Sequence, residues 1–120
     1  MPIAIVAEDD PFIRMDAADV LRDLGYEVIE ANDAEEAIAA MVDCSDLALL
    51  FTDIEMPGEL NGLDLARAAS KHVSTVKIII ASGMMSPTQA DLPLGASFLS
   101  KPYSSAQIAA VLDEDRLPVS

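Results

Sequence analysis

The sequence predicts an α/β domain in which a parallel sheet is covered by helices on both faces. Three observations carry this reading. Short apolar runs alternate along the chain with segments of helical period. The runs are continuously apolar, as strands buried on both faces are. Four of them stop on polar groups, Glu8-Asp9, Asp53, Ser82 and Lys101, and an open α/β sheet places its ligand site just beyond the carboxyl ends of its strands.

The elements follow in order. Ile3–Ala7 is the first strand. Asp10 can then cap a helix with Pro11 at its first position, and Ile13, Ala17, Val20, Leu21 and Leu24 make one stripe before Gly25 ends it, so helix one should run from Pro11 to Leu24. Glu27–Ala31 is the second strand. Asp33 with Glu36 has the spacing of a capping box, opening a helix with Ala34, Ala37, Ile38 and Met41 inward. Leu47–Thr52, the most apolar run, is the third strand and should be central. Asn61 can cap a third helix that turns Leu63, Ala66, Ala69, Ser70 and Val73 inward, and Ile78–Ala81 is the fourth strand.

The rhythm breaks between Met84 and Gly95, where Pro87 and Pro93 bracket a stretch too short for an ordinary helix. A fourth helix there is expected to be short, irregular or mobile. Ala96–Leu99 is a short fifth strand. Ser104 with Gln107 can box a last helix carrying Ile108, Val111 and Leu112 inward, and the tail from Asp113 to Ser120 should fray.

A chain of 120 residues fits one domain, taken as 1–120, and is long enough to bury a core without staples. Lys plus Arg number 7 against 21 Asp plus Glu, a formal charge of −14. Such a surface repels phosphate backbones and anionic lipid, so neither nucleic acid nor membrane is an expected partner. Cys44 is the single cysteine, which excludes an internal disulfide and a cysteine-built zinc site and suits a reducing cytoplasm; it is expected as a small thiol on a helix. No apolar run approaches the ~20 residues that span a bilayer, and no basic segment precedes one. The expected location is therefore cytoplasmic.

The strand ends describe a chemistry. A carboxylate can attack phosphorus to form an aspartyl phosphate, but attacker and transferred group are both anionic, so a hard cation and positive donors must hold them together. Glu8 and Asp9 facing Asp53 would supply oxygens for Mg²⁺, with the backbone carbonyl of Glu55 as a further ligand. Lys101 could pair with Asp53 and then with a phosphoryl oxygen as a point charge. Ser82 offers a hydroxyl, and Gly83 leaves room for backbone N–H to donate as well. Pro102 after Lys101 suits a rigid bend with a cis peptide bond. Asp10 is read as a helix cap only, and His72, near a helix end, is given no role.

Taken together, Glu8-Asp9-Asp10-Pro11, Thr52-Asp53-Ile54-Glu55-Met56-Pro57-Gly58, Asn61-Gly62-Leu63, Ala81-Ser82-Gly83 and Lys101-Pro102-Tyr103 resemble the receiver (CheY-like) domains of two-component response regulators, in order and over essentially the whole chain. The resemblance implies a flavodoxin-like fold with strand order 2-1-3-4-5. It implies Asp53 as phosphoacceptor from a histidine kinase or histidine phosphotransfer protein, and Glu8 and Asp9 as the Mg²⁺ pair. It also implies Lys101 as the phosphate-contacting lysine, with Ser82 and Phe98 as the switch hydroxyl and aromatic. Phosphorylation would then shift a two-state equilibrium and change contacts with a downstream protein. Such a domain catalyses only its own phosphoryl transfer and hydrolysis. Glu55 and Met84 stand where the family tunes loss of the phosphoryl group.

Two departures stand out. The loop from Gly58 to Asn61 is one residue longer than the commonest family form, and the proline-bracketed segment replaces a helix of the signalling face. Met84-Met85 fits either an adaptable binding surface or half-buried loop residues. The initial Met and the frayed tail point to a complete stand-alone receiver. Other readings are a phosphorylation-independent receiver-like binding module, a small aspartyl-nucleophile phosphatase of the haloacid dehalogenase type, suggested by Asp53-Ile54-Glu55, and a flavodoxin-like nucleotide binder, whose phosphate loop Glu8-Asp9-Asp10 would repel.

Overall fold

The structure is a computed structural model and describes residues 1–86, 92, 93 and 95–116. Its elements run β1 (Ile3–Ala7), α1 (Pro11–Asp23), β2 (Glu27–Ala31), α2 (Ala34–Val42), β3 (Leu47–Asp53), α3 (Gly62–His72), β4 (Lys77–Ser82), β5 (Ser97–Ser100) and α4 (Ser105–Arg116). The five strands form one parallel sheet in the order β2-β1-β3-β4-β5. This is the order expected from the sequence, and β3 is indeed central.

The continuous apolar runs split by pleat. Ile5, Ala7, Leu50, Ile78 and Ile80 point to one face, where they meet Ala34, Ala37 and Met41 of α2 and Leu63, Leu65, Ala66 and Ala69 of α3. Ala4, Val6, Leu49, Phe51, Ile79 and Ala81 point to the other and meet Ala17, Ala18 and Leu21 of α1 and Ile108 and Leu112 of α4. Each fully buried Leu or Ile contributes about 1.5–3 kcal/mol over its exposed state. A one-residue slip of any strand would exchange the two sets, so this double burial fixes the register. It holds the carboxyl ends of β1, β3 and β4 level: Ala7 pairs with Thr52, and Asp53 with Ala81.

Capping sets the helix starts. The Asp10 carboxylate accepts from the backbone N–H groups of Phe12 and Ile13, and Pro11 begins α1. Asn61 and Asp64 form a reciprocal capping box on α3, as Ser104 and Gln107 do ahead of α4. At α2 only half of the expected box exists. Asp33 accepts from the Glu36 N–H, but the Glu36 carboxylate reaches the backbone N–H and side-chain amide of Asn32.

Other expectations are corrected at their edges. Helix α1 stops at Asp23, with Leu24 as its cap and Gly25 turning at φ +100°. Leu65 is fully buried although it was not among the expected inward residues, while Ser70 is half-buried. Cys44 is buried but lies beyond the end of α2, in the loop before β3, where its carbonyl oxygen is 3.3 Å from His72 Nε2. Helix α4 continues to Arg116 where fraying from Asp113 was expected. Between β4 and β5 the described residues, 83–86, 92, 93, 95 and 96, contain no helix. The expectation of a short, irregular or mobile fourth helix falls on residues 87–91 and 94, which lie outside the described residues, as do 117–120. Among the described residues there are four helices, and none is long and apolar enough to cross a membrane.

Candidate functional site

The sheet brings Glu8, Asp53, Ser82 and Lys101 to one rim. Glu8 directly follows β1, and its backbone N–H donates to the Ala31 carbonyl at the end of β2. One carboxylate oxygen accepts from the Asp10 N–H at 3.1 Å, the other from Lys101 Nζ at 2.8 Å. The Glu8 carbonyl accepts from Arg14 Nη1 at 3.0 Å, and Arg14 is itself held by Glu30 and Asn32. Arg14 thus fixes the backbone of the acidic pair. Its only sequence signal is an arginine one turn into the helix that follows the acids.

Asp53 ends β3 and is 3 % exposed. Its position is set through the backbone. The Ile54 N–H donates to the Ala81 carbonyl, and the Gly62 N–H to the Ile54 carbonyl. Gly62 is packed so closely on the Asp53 and Ile54 backbone that it leaves no space for a Cβ. The loop ahead of it is closed from α2, where the Glu35 carboxylate accepts from the Leu60 N–H at 3.1 Å and lies against Gly58.

Lys101 joins the two buried acids, with Nζ 2.8 Å from Glu8 Oε1 and 3.1 Å from Asp53 Oδ2. Its backbone N–H donates to the Ser82 carbonyl, and the bond to Pro102 is cis, as expected. One ammonium between two carboxylates cannot neutralise both. Burial, then the charge of Glu8, push the Asp53 carboxyl up to about 6 against the pull of Lys101. Glu8 is also raised, by burial first. For Lys101, burial favours the neutral amine, but pairing with Glu8 and Asp53 outweighs it and the pKa rises.

Carboxylate oxygens of Glu8, Asp9 and Asp53 all lie within 4.8 Å of one another, with Asp9 exposed. Among the described residues Asp53 Oδ1 is buried without a hydrogen-bond partner, an arrangement that costs free energy unless a cation or donor meets it. Three carboxylates brought this close, one of them with an unpartnered oxygen, fit a divalent cation such as Mg²⁺, whose ligands are carboxylates and carbonyls.

Ser82 is buried at the end of β4, but its hydroxyl is engaged away from Asp53. It lies 2.9 and 2.8 Å from the two Glu55 carboxylate oxygens, and the Gly83 N–H donates to the same carboxylate at 3.1 Å. Ser82 Oγ in turn accepts from the N–H groups of Met84 and Met85. The sequence singled out Glu55 for its carbonyl and as a tuning position; that its side chain ties the third and fourth strand ends together was missed. Phe98 is half-buried on β5, pairs in register with Ile80 and packs on the cluster facing α2 and α3.

The profile of the response regulator receiver domain matches residues 4–113. The transcriptional regulatory protein PdtaR of Mycobacterium tuberculosis is 31% identical over 112 residues, which cover 91% of this chain and 54% of PdtaR; the chain thus spans about half the length of that relative. The chemotaxis protein CheY of Thermotoga maritima is 29% identical over 114 residues, 92% of this chain and 93% of CheY. Among solved structures, a CheY-like receiver domain protein from Methanospirillum hungatei superposes with a TM-score of 0.84 at 25% identity, over 96% of this chain and 93% of that one.

Proposed function

This chain belongs to the response regulator receiver family, and from that membership we propose that Asp53 is its phosphoacceptor. A receiver works as a phosphorylation-dependent switch and acts only on its own phosphorylation state. The observation that carries the assignment is the Asp53 carboxylate, buried and bound by Lys101 on one oxygen while the other is unpartnered beside Glu8 and Asp9.

In the transfer, an Asp53 carboxylate oxygen attacks the phosphorus of a phosphoimidazole. A P–O bond forms, the P–N bond breaks, and its electron pair leaves with the imidazole nitrogen, which takes up a proton from solvent. Lys101 holds the acceptor in place and then meets a phosphoryl oxygen. Glu8, Asp9, Asp53 and the Glu55 carbonyl would hold Mg²⁺, which when bound offsets the negative charge of both partners. Hydrolysis reverses the gain, as water attacks phosphorus, the P–O bond to Asp53 breaks, and the carboxylate and inorganic phosphate are restored. Ser82 and Phe98 carry the switch, in which the hydroxyl moves toward the new phosphoryl group and the ring turns inward behind it.

The proposed donor is a histidine kinase or histidine phosphotransfer protein, and the output is a changed contact with a protein target. Residues 1–120 act as one receiver domain in the cytoplasm, with neither nucleic acid nor membrane as partner. Incubation with acetyl phosphate and Mg²⁺, followed by intact mass, tests this. A phosphoryl adduct on the native chain and none on Asp53→Asn is expected. An adduct that persists on the variant would remove Asp53 from the role, and none on either would favour binding without phosphorylation.

A further inference from the structure

The donors that a phosphoryl group on Asp53 would require at the end of β4 are already occupied by a carboxylate of the same chain. Ser82 Oγ and the Gly83 N–H both point at Glu55, two residues beyond Asp53 on the neighbouring strand end. Ser82 is 1 % exposed, so its hydroxyl proton has no bulk water to turn to. The carboxylate takes both donors through charge-assisted bonds, the stronger class. It adds its charge to the field that raises Asp53.

Resting on the assignment of Asp53 as acceptor, we propose that Glu55 is a built-in competitor for the phosphoryl oxygens, a latch that holds Ser82 and Gly83 in the unphosphorylated arrangement. A carboxylate and a phosphoryl group both offer anionic oxygens to the same two donors, and both cannot be served at once. Phosphorylation must therefore expel the Glu55 side chain before Ser82 can turn to Asp53. That turn also withdraws Ser82 Oγ from the N–H groups of Met84 and Met85. Met84 is 81 % exposed, and this one hydroxyl accepts from two successive N–H groups where the chain leaves β4. Release of the latch and loss of the two hydrogen bonds from Met84 and Met85 are thus one event. Its regulatory effect is to keep the switch off until the phosphoryl group is in place.

Beryllium fluoride, which mimics the phosphoryl group, is the probe. Its affinity for the full chain in Mg²⁺ is measured by ¹⁹F NMR titration for the native protein, Glu55→Ala, Glu55→Gln, Ser82→Ala and the Glu55→Ala/Ser82→Ala double variant. Glu55→Ala is expected to bind about tenfold tighter, as removal of one charge-assisted competitor allows. Glu55→Gln keeps an acceptor oxygen without the charge and should fall between the two. In the Ser82→Ala background the gain from Glu55→Ala should shrink to about threefold or less, since only the Gly83 donor remains to be freed. Equal gains in both backgrounds, with Gln matching Ala, would replace the latch by simple charge repulsion. Unchanged or weaker binding by Glu55→Ala would overturn the proposal. No binding by the native chain or by any variant would overturn the acceptor assignment together with it.

Discussion

Gly62 rests directly on the backbone of Asp53, with no space between them for a single methyl group. The loop after β3 folds back so that the first residue of α3 is wedged beneath the Asp53 carbonyl. Gly62→Ala must push one of these backbones aside. The expected cost is about 2–4 kcal/mol in urea unfolding, and phosphorylation by acetyl phosphate should fall further than the stability loss explains. Native-like phosphorylation by a destabilised variant would show that the wedge serves folding alone.

Removing the shared ammonium should unbalance the acids it joins. In Lys101→Ala, Glu8 and Asp53 face each other without a countercharge, and the folded state should take up protons more readily than the native one. We expect a loss of about 1–3 kcal/mol at pH 8 and a smaller one at pH 5. Urea melts of native and variant chains at both pH values measure it; equal losses would assign the effect to packing of the lysine stem.

The raised Asp53 carboxyl makes the metal-free protein less stable as pH rises. Its pKa of about 6 lies above the ordinary value, so the folded state binds the proton more tightly than the unfolded one. The resulting stability is fully present below about pH 4 and lost as pH climbs through about 6. Glu8 acts in the same direction. After screening, the Asp53 contribution is about 1–2 kcal/mol. In EDTA, Asp53→Asn should therefore be at least as stable as the native chain at pH 7.5 and lose most of this slope. Mg²⁺ should raise the native Tm more at pH 7.5 than at pH 5, because it competes with the proton. A Tm indifferent to Mg²⁺ at pH 7.5 would count against the cation site.

The Asn61 cap should be separable from the chemistry. Asn61→Ala deletes the acceptor for the Leu63 and Asp64 N–H groups and should cost about 1 kcal/mol. Because Gly62 follows directly, a second effect is expected on the loop after Asp53. Asn61→Ser, which keeps a capping oxygen, should restore most of the stability in thermal melts.

Most of the fold was legible because its signals are local. Continuous apolar runs gave the strands, and Asp10-Pro11, Asn61 and Ser104-Gln107 gave helix starts that the structure retains. Glu36 is the instructive exception. The capping spacing was present, but a neighbouring side chain, Asn32, offered its carboxylate competing donors. The acidic cluster was legible from strand ends, since one rule of parallel sheets brings them together. Glu55 on Ser82, Arg14 on the Glu8 carbonyl and Glu35 on the Leu60 N–H were not. Each depends on where a long side chain turns once two distant segments are level, and no local periodicity encodes that choice.

Lys101 starts at the edge of the sheet and ends at its centre. Its stem lies along Gly83, over the end of β4, before the ammonium reaches Asp53 on β3. The lysine is thus a tether from the outermost strand to Asp53, and any partner that shifts β5 or the Phe98 run pulls on the charge beside that carboxylate. Coupling of this kind is reciprocal. A target that grips the β5 edge more firmly in one state must, by the same free energy, change how favourably Asp53, as the proposed acceptor, holds a phosphoryl group, so the listener would help to set the balance of the message.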